Sequence, residues 1–178
     1  MVTIICGTNR PDSETAKFSK KYFELFKSKG VEVKLLELEK IPHDWFFADM
    51  YDAKKQAKSI AKVQEDYFFS AEKLLFVAPE YNGSFPGVLK LFLDAISIRE
   101  YAQNFKNKKA ALSGIASGRA GNLRGIDHLT GILHHVGTTV MPQNLPISSI
   151  GSLKDEAGEI NADTVKTMEE FVDTFLAF

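Results

Sequence analysis

Three short segments of this 178-residue chain crowd together residue types suited to holding a ligand. The first, Gly7-Thr8-Asn9-Arg10-Pro11-Asp12-Ser13-Glu14-Thr15, mixes a permissive glycine, three hydroxyls and one guanidinium. Hydroxyls and backbone N–H groups can ring the oxygens of a phosphate dianion, and Arg10 adds a forked, charged contact that a lysine does not copy. Ser13 or Thr15 could instead cap a helix, with Glu14 beside its dipole, but capping accounts poorly for all of these residues together. The second segment, Ala78-Pro79-Glu80-Tyr81-Asn82-Gly83-Ser84-Phe85-Pro86-Gly87, is stiffened at both ends by proline, and Pro86 suits a first helical turn. Asn82-Gly83 reads as a tight turn, while Tyr81 and Phe85 can form an aromatic wall beside backbone amides, as a planar heteroaromatic ligand requires. The third, Ala116-Ser117-Gly118-Arg119-Ala120-Gly121-Asn122, uses two glycines to let backbone approach a ligand just before a helix start.

Spacing excludes several familiar chemistries. A nucleoside triphosphatase needs Gly-Lys followed by Ser or Thr after a strand, and no such tripeptide follows Cys6. A cysteine phosphatase needs a longer loop than the three residues between Cys6 and Arg10, so Cys6 reads as a small buried strand residue. Gly114, Gly118 and Gly121 do not reproduce the Gly-x-Gly-x-x-Gly dinucleotide fingerprint. The four histidines do not gather at the three segments; His134 and His135 are neighbours that diverge by roughly a quarter turn on a helix, so neither a metal site nor a histidine triad is supported.

The elements that must position these segments alternate along the chain. Strand-like apolar runs occur at Val2 to Cys6, Val31 to Leu36, Leu74 to Ala78, Ala110 to Ile115 and Thr138 to Met141. Between them lie stripes of helical period: Phe18, Tyr22, Leu25 and Phe26; Ile60, Val63 and Tyr67; Val88, Leu89, Phe92, Leu93 and Ile96; Leu129, Leu133 and Val136; and Val165, Met168, Val172 and Phe175. Strands apolar on both faces, alternating with helices, require a parallel sheet covered on each side. The reading is one α/β domain over 1–178, a three-layer α/β/α flavodoxin-like fold with a five-stranded parallel sheet of order 2-1-3-4-5. In such sheets ligands gather beyond the carboxyl ends of the strands, which is where all three segments fall. The polar stretch Ser148 to Asp163 joins the last strand to the last helix as a lid or surface loop.

Composition sets outer bounds. Twenty-two Lys and Arg against 23 Asp and Glu give a formal net charge of -1, which withholds the electrostatic support that nucleic-acid or membrane-surface binding would need. The single cysteine fits a reducing, cytoplasmic compartment. The apolar opening is far too short for a signal peptide or a bilayer span.

Taken together, the three segments resemble the NADPH-dependent FMN reductases, which include quinone, chromate and azo-dye reductases. The resemblance runs from Gly7 to about Pro146: Gly7, Thr8, Arg10 and Ser13 meet the pattern Gly-Ser/Thr-x-Arg-x-x-Ser, and Pro79 to Lys90 meets Pro-Glu-Tyr-Asn-x-Ser-x-Pro-Gly-x-Leu-Lys throughout. Val140-Met141-Pro142-Gln143 also looks like the family's last-strand ending. By that likeness Thr8, Arg10, Ser13 and Thr15 would hold an FMN phosphate. Pro79, Glu80, Tyr81, Asn82 and Gly83 would line the isoalloxazine, and Ser117, Gly118 and Gly121 would close its other edge.

The likeness implies an FMN-dependent oxidoreductase in which NADPH or NADH donates hydride and a quinone or similar small molecule accepts electrons in a ping-pong cycle. It also implies a homodimer or homotetramer with the flavin near a subunit interface. An electron carrier or a flavin-binding redox sensor would share the fold and cofactor, although carriers are typically strongly acidic and this chain is not. Two departures stand out: the family's Asn-Ala-x-Asp-Trp after Leu89-Lys90 is Leu91-Phe92-Leu93-Asp94-Ala95 here, and its third-loop glycine pair is Gly121-Asn122.

Overall fold

Val2–Cys6 forms β1, and all five residues are buried, as a strand covered by helices on both faces must be. The computed structural model describes residues 1–178, apart from the side chain of His43. After β1 come α1 (Glu14–Ser28) and β2 (Val33–Glu37), then a run of 3-10 turns leading to α2 (Lys58–Val63). The chain continues through β3 (Lys73–Pro79), α3 (Gly87–Ile96), α4 (Tyr101–Phe105), β4 (Lys109–Ile115), α5 (Leu123–His135), β5 (Thr139–Val140), β6 (Leu145–Ile147) and α6 (Ala162–Ala177). The strands pair in parallel in the order β2-β1-β3-β4-β5, with β6 also on β4.

The fifth position is a broken strand rather than the single run expected from Thr138 to Met141. β5 pairs with Lys109 and Ala110 at the start of β4, and β6 pairs with Ser113, Gly114 and Ile115 at its end. Between them Pro142 has no N–H to give a ladder, and the chain leaves the sheet there.

Alternate strand residues feed two cores, one on each face. Ile5, Leu74, Phe76, Ala110 and Leu112 point into a cluster with Leu89, Phe92, Ile96, Ile126 and Leu129 of α3 and α5. Val2, Ile4, Leu75, Val77 and Ala111 point the other way, against Phe18, Tyr22 and Phe26 of α1 and Met168, Val172 and Phe175 of α6. This is the period of two that a parallel strand imposes.

The helix expected from Ile60, Val63 and Tyr67 does form, but it passes into a π turn at Gln64–Phe69. The wider turn rotates Gln64 and Phe68 inward. Gln64 is fully buried and its Nε2 donates to the carbonyls of Ile96 (3.1 Å) and Arg99 (2.6 Å), closing the end of α3. Trp45, in the 3-10 segment, stacks on Phe92 with centroids 6.1 Å apart. Among the described residues no helix is long and apolar enough to cross a membrane.

Candidate functional site

β1, β3 and β4 end side by side, and the loops that follow them enclose a cleft of about 520 Å³. Arg10, Ser13 and Thr15 line it from the first loop, Pro79, Glu80 and Tyr81 from the second, and Ser117 from the third. Ile150, from the connection between β6 and α6, completes the wall.

The first loop turns through Asp12, held at φ 52, into Ser13, the N-cap of α1. The Ser13 hydroxyl accepts from the Ala16 N–H at 3.2 Å, so the capping role is real and coexists with a place in the cleft. Thr15 lies buried in the first helical turn, whose leading N–H groups have no acceptor within the helix and carry the positive end of its dipole. Arg10 is exposed, and its backbone N–H donates to the Thr8 hydroxyl at 3.2 Å. Thr8 itself lies beneath the cleft, 1% exposed, with its Oγ1 3.0 Å from the Tyr81 hydroxyl. It joins the first loop to the second and does not appear in the cleft wall.

Glu14 opens α1, and its carboxylate accepts from Lys17 and Lys154 at 3.0 Å each. Burial pulls its pKa up, but the hydrogen bonds from Lys154 and Lys17 prevail and hold it below the usual carboxylate value. Lys154 thereby ties the β6–α6 connection to the first turn of α1. The Cys6 thiol, buried at the end of β1, is pushed up to about 11 by burial; it stays protonated at neutral pH and is no nucleophile there.

In the second loop Tyr81 and Ser84 exchange backbone hydrogen bonds of 2.8 and 3.1 Å around Asn82 and Gly83. Both turn residues have positive φ, 53° and 77°, the mirror-image turn that an Asn-Gly pair favours. The pair therefore forms a hairpin tip and lies outside the cleft wall. The Glu80 N–H is fixed on the Ile115 carbonyl at 3.0 Å. Ser84 Oγ lies 2.9 Å from His128 Nδ1 on α5. Pro86 stands at the N-cap of α3, one position ahead of the first turn expected for it.

In the third loop Ser117 faces the cleft and Gly118 is exposed. Gly121 meets protein on both sides: a Cβ on it would fall 2.7 Å from Pro146, and one on Gly114 would fall 2.1 Å from the Gly121 carbonyl oxygen. Close packing of the strand ends by itself requires glycine at both positions.

No local pattern marks Ile150, which sits in a polar stretch, the Thr8–Tyr81 contact, or Asn122, whose side chain reaches β3 across the strand ends. The cleft suits a mononucleotide with an aromatic head. One end has hydroxyls, a guanidinium and a helix N-terminus; the other has the rigid Pro79–Tyr81 segment; and the volume falls within the range of small-molecule sites.

Comparison with known proteins places this geometry among flavoenzymes. The family described as NADPH-dependent FMN reductase matches residues 1–151. A quinone reductase of Pseudomonas putida is 28% identical over 99% of this chain and 93% of its own length. An NAD(P)H-dependent FMN reductase of Pseudomonas aeruginosa is 34% identical over 78% of this chain and 73% of its own. The structure of FerB, a flavoenzyme NAD(P)H:(acceptor) oxidoreductase from Paracoccus denitrificans, superposes with a TM-score of 0.77 at 30% identity, covering 99% of this chain and 94% of that one.

Proposed function

Because the chain belongs to the NADPH-dependent FMN reductase family, we propose that it is an FMN-dependent NAD(P)H oxidoreductase acting on a quinone or a similar small acceptor. When bound, FMN supplies the redox chemistry, taking hydride from NAD(P)H and passing two electrons to the acceptor. The tasks left to the protein are to hold the cofactor, fix its ring and leave one face open.

On this reading the first turn of α1, with Ser13, Thr15 and Arg10, holds the phosphate, and Thr8 braces that loop against Tyr81. Pro79, Glu80 and Tyr81 line the ring, with Asn82 and Gly83 turning the chain at its margin; Ser117, Gly118 and Gly121 shape the opposite edge. The Glu80, Tyr81 and Ser84 N–H groups are already committed, so the N–H groups of Asn82, Gly83, Ser117 and Gly118, which make no hydrogen bond among the described residues, are the donors that would meet negative charge at the ring's polar edge. If one face of the bound ring were left open, donor and acceptor would use it in turn, as a ping-pong cycle requires. Homo-oligomerisation, as dimer or tetramer, and a place in the cytoplasm complete the proposal. Phe47 and Tyr51, 67% and 62% exposed, are apolar surface consistent with association.

The observation that carries the proposal is the convergence of three loops, far apart in sequence, on one cleft that has a helix N-terminus at one end and a rigid segment at the other. Initial rates of NADPH and NADH oxidation with FMN and a benzoquinone test it. Quinone-dependent turnover with parallel double-reciprocal lines is expected. Flavin binding without quinone-dependent turnover would instead make the protein a carrier or sensor.

A further inference from the structure

We infer that Asn122 is a positioning residue, a staple that joins the third loop to the end of β3 and sets how the second and third loops clasp the flavin ring. The inference rests on the proposed reading of the cleft. Asn122 precedes α5 and is 1% exposed, with left-handed backbone at φ 64. Its Nδ2 donates to two successive carbonyls of β3, those of Ala78 and Pro79, each at 3.0 Å. Those residues lead directly into Glu80 and Tyr81 in the cleft wall.

The arrangement sacrifices a helix cap. Ser13 and Asn161 use their side-chain oxygens to accept from the first turns of α1 and α6. Asn122 holds the same position on α5 but makes no such bond, and its Oδ1 is buried without a partner. A buried, unsatisfied acceptor costs stability, and here it accompanies an amide committed to a different strand. Room for that amide exists only because residue 125 is glycine: a Cβ on Gly125 would fall 2.1 Å from Asn122 Oδ1. A glycine inside a helix is itself unfavourable, so α5 carries two local costs for one cross-loop contact.

The test compares dissociation constants for FMN and for riboflavin, which has the same ring and no phosphate, by flavin fluorescence titration of the intact protein. Asn122→Gly keeps the positive φ comfortable and removes both donors. It is expected to weaken FMN and riboflavin by the same factor, about tenfold, the scale of two neutral hydrogen bonds. Arg10→Ala is expected to weaken FMN alone. Gly125→Ala, which presses a methyl on Asn122 and leaves both loops unaltered, is expected to reproduce the Asn122→Gly effect. The double variant should bind no worse than Asn122→Gly, because the collision is gone. The midpoint potential of bound FMN should fall in Asn122→Gly, by about 30 mV for each tenfold preferential loss of the reduced form.

Parent-like affinity for both flavins and a parent-like potential in Asn122→Gly would overturn the staple. So would a full additional loss from Gly125→Ala in that background. An Arg10→Ala variant that binds FMN as the parent does would instead fault the phosphate end of the cleft, and a parent that takes up neither flavin would overturn the cleft reading and the staple with it.

Discussion

Arg10 carries the only positive side chain of the first loop and sits at the mouth of the cleft beside the opening of α1. A charged hydrogen bond to phosphate contributes about 1.5–3 kcal/mol, so Arg10→Ala should raise the FMN dissociation constant about 10- to 100-fold while leaving turnover at saturating FMN nearly unchanged. Equal affinity in the variant and the parent, measured by fluorescence quenching, would remove the phosphate role. Cys6 makes a separate prediction. Its thiol is raised in the folded state from the ordinary value of 9.0 to about 11, chiefly by burial. As pH climbs through that window the unfolded chain releases the proton and the folded chain keeps it, so the stability linked to Cys6 is whole below pH 9.0 and is lost toward pH 11. Urea unfolding should show the parent losing about 2 kcal/mol more than Cys6→Ala between pH 8 and pH 10.5. Identical pH profiles would contradict the burial. At this scale the sequence was informative about residue type and poor about direction. Arg10, Ser13, Thr15, Pro79, Glu80, Tyr81 and Ser117 all face the cleft. Thr8, Gly121 and the Asn82-Gly83 pair serve the frame around it, because hydroxyls and glycines satisfy structural needs as readily as ligands.

The element that most directly steadies the second loop is α3, which begins one residue after Pro86. Its Phe92 is fully buried, stacked on Trp45 and packed 5.8 Å from the Phe68 ring. Phe92→Ala should therefore cost about 3–5 kcal/mol, the usual toll of emptying an aromatic site in a core. Trp45, the single tryptophan of the chain, reports the transition by fluorescence in urea; a loss under about 1 kcal/mol would mean that the core refills easily. Strand and helix order was legible because β1, β3 and β4 are buried on both faces and the helices carry strong stripes. The break in the fifth strand was hidden because Leu145-Pro146-Ile147 is short and holds a proline, a poor sign of a strand. The π turn was hidden for a related reason: its buried Gln64 answers the carbonyls of a distant helix end, a tertiary need that local periodicity does not display.

For the molecule as a whole, the parallel sheet is what turns three separate segments into one site. It brings Ser13, Tyr81 and Ser117 to a common edge, and only the strand order, not the spacing along the chain, says that they meet. Since a ligand held by all three loops binds the folded state alone, FMN at 100 times its dissociation constant should stabilise the protein by about 2.7 kcal/mol and raise its melting temperature accordingly. Riboflavin should do less at the same concentration, because it lacks the group that the first loop meets. A melting temperature indifferent to FMN would mean that the loops do not share a ligand. The most direct measurement is an anaerobic visible spectrum of the purified protein supplied with FMN, followed by NADPH. A stoichiometric bound flavin is expected, its absorbance bleaching on addition of NADPH and returning with a quinone; well-folded protein that leaves FMN free in solution would contradict the flavoenzyme assignment.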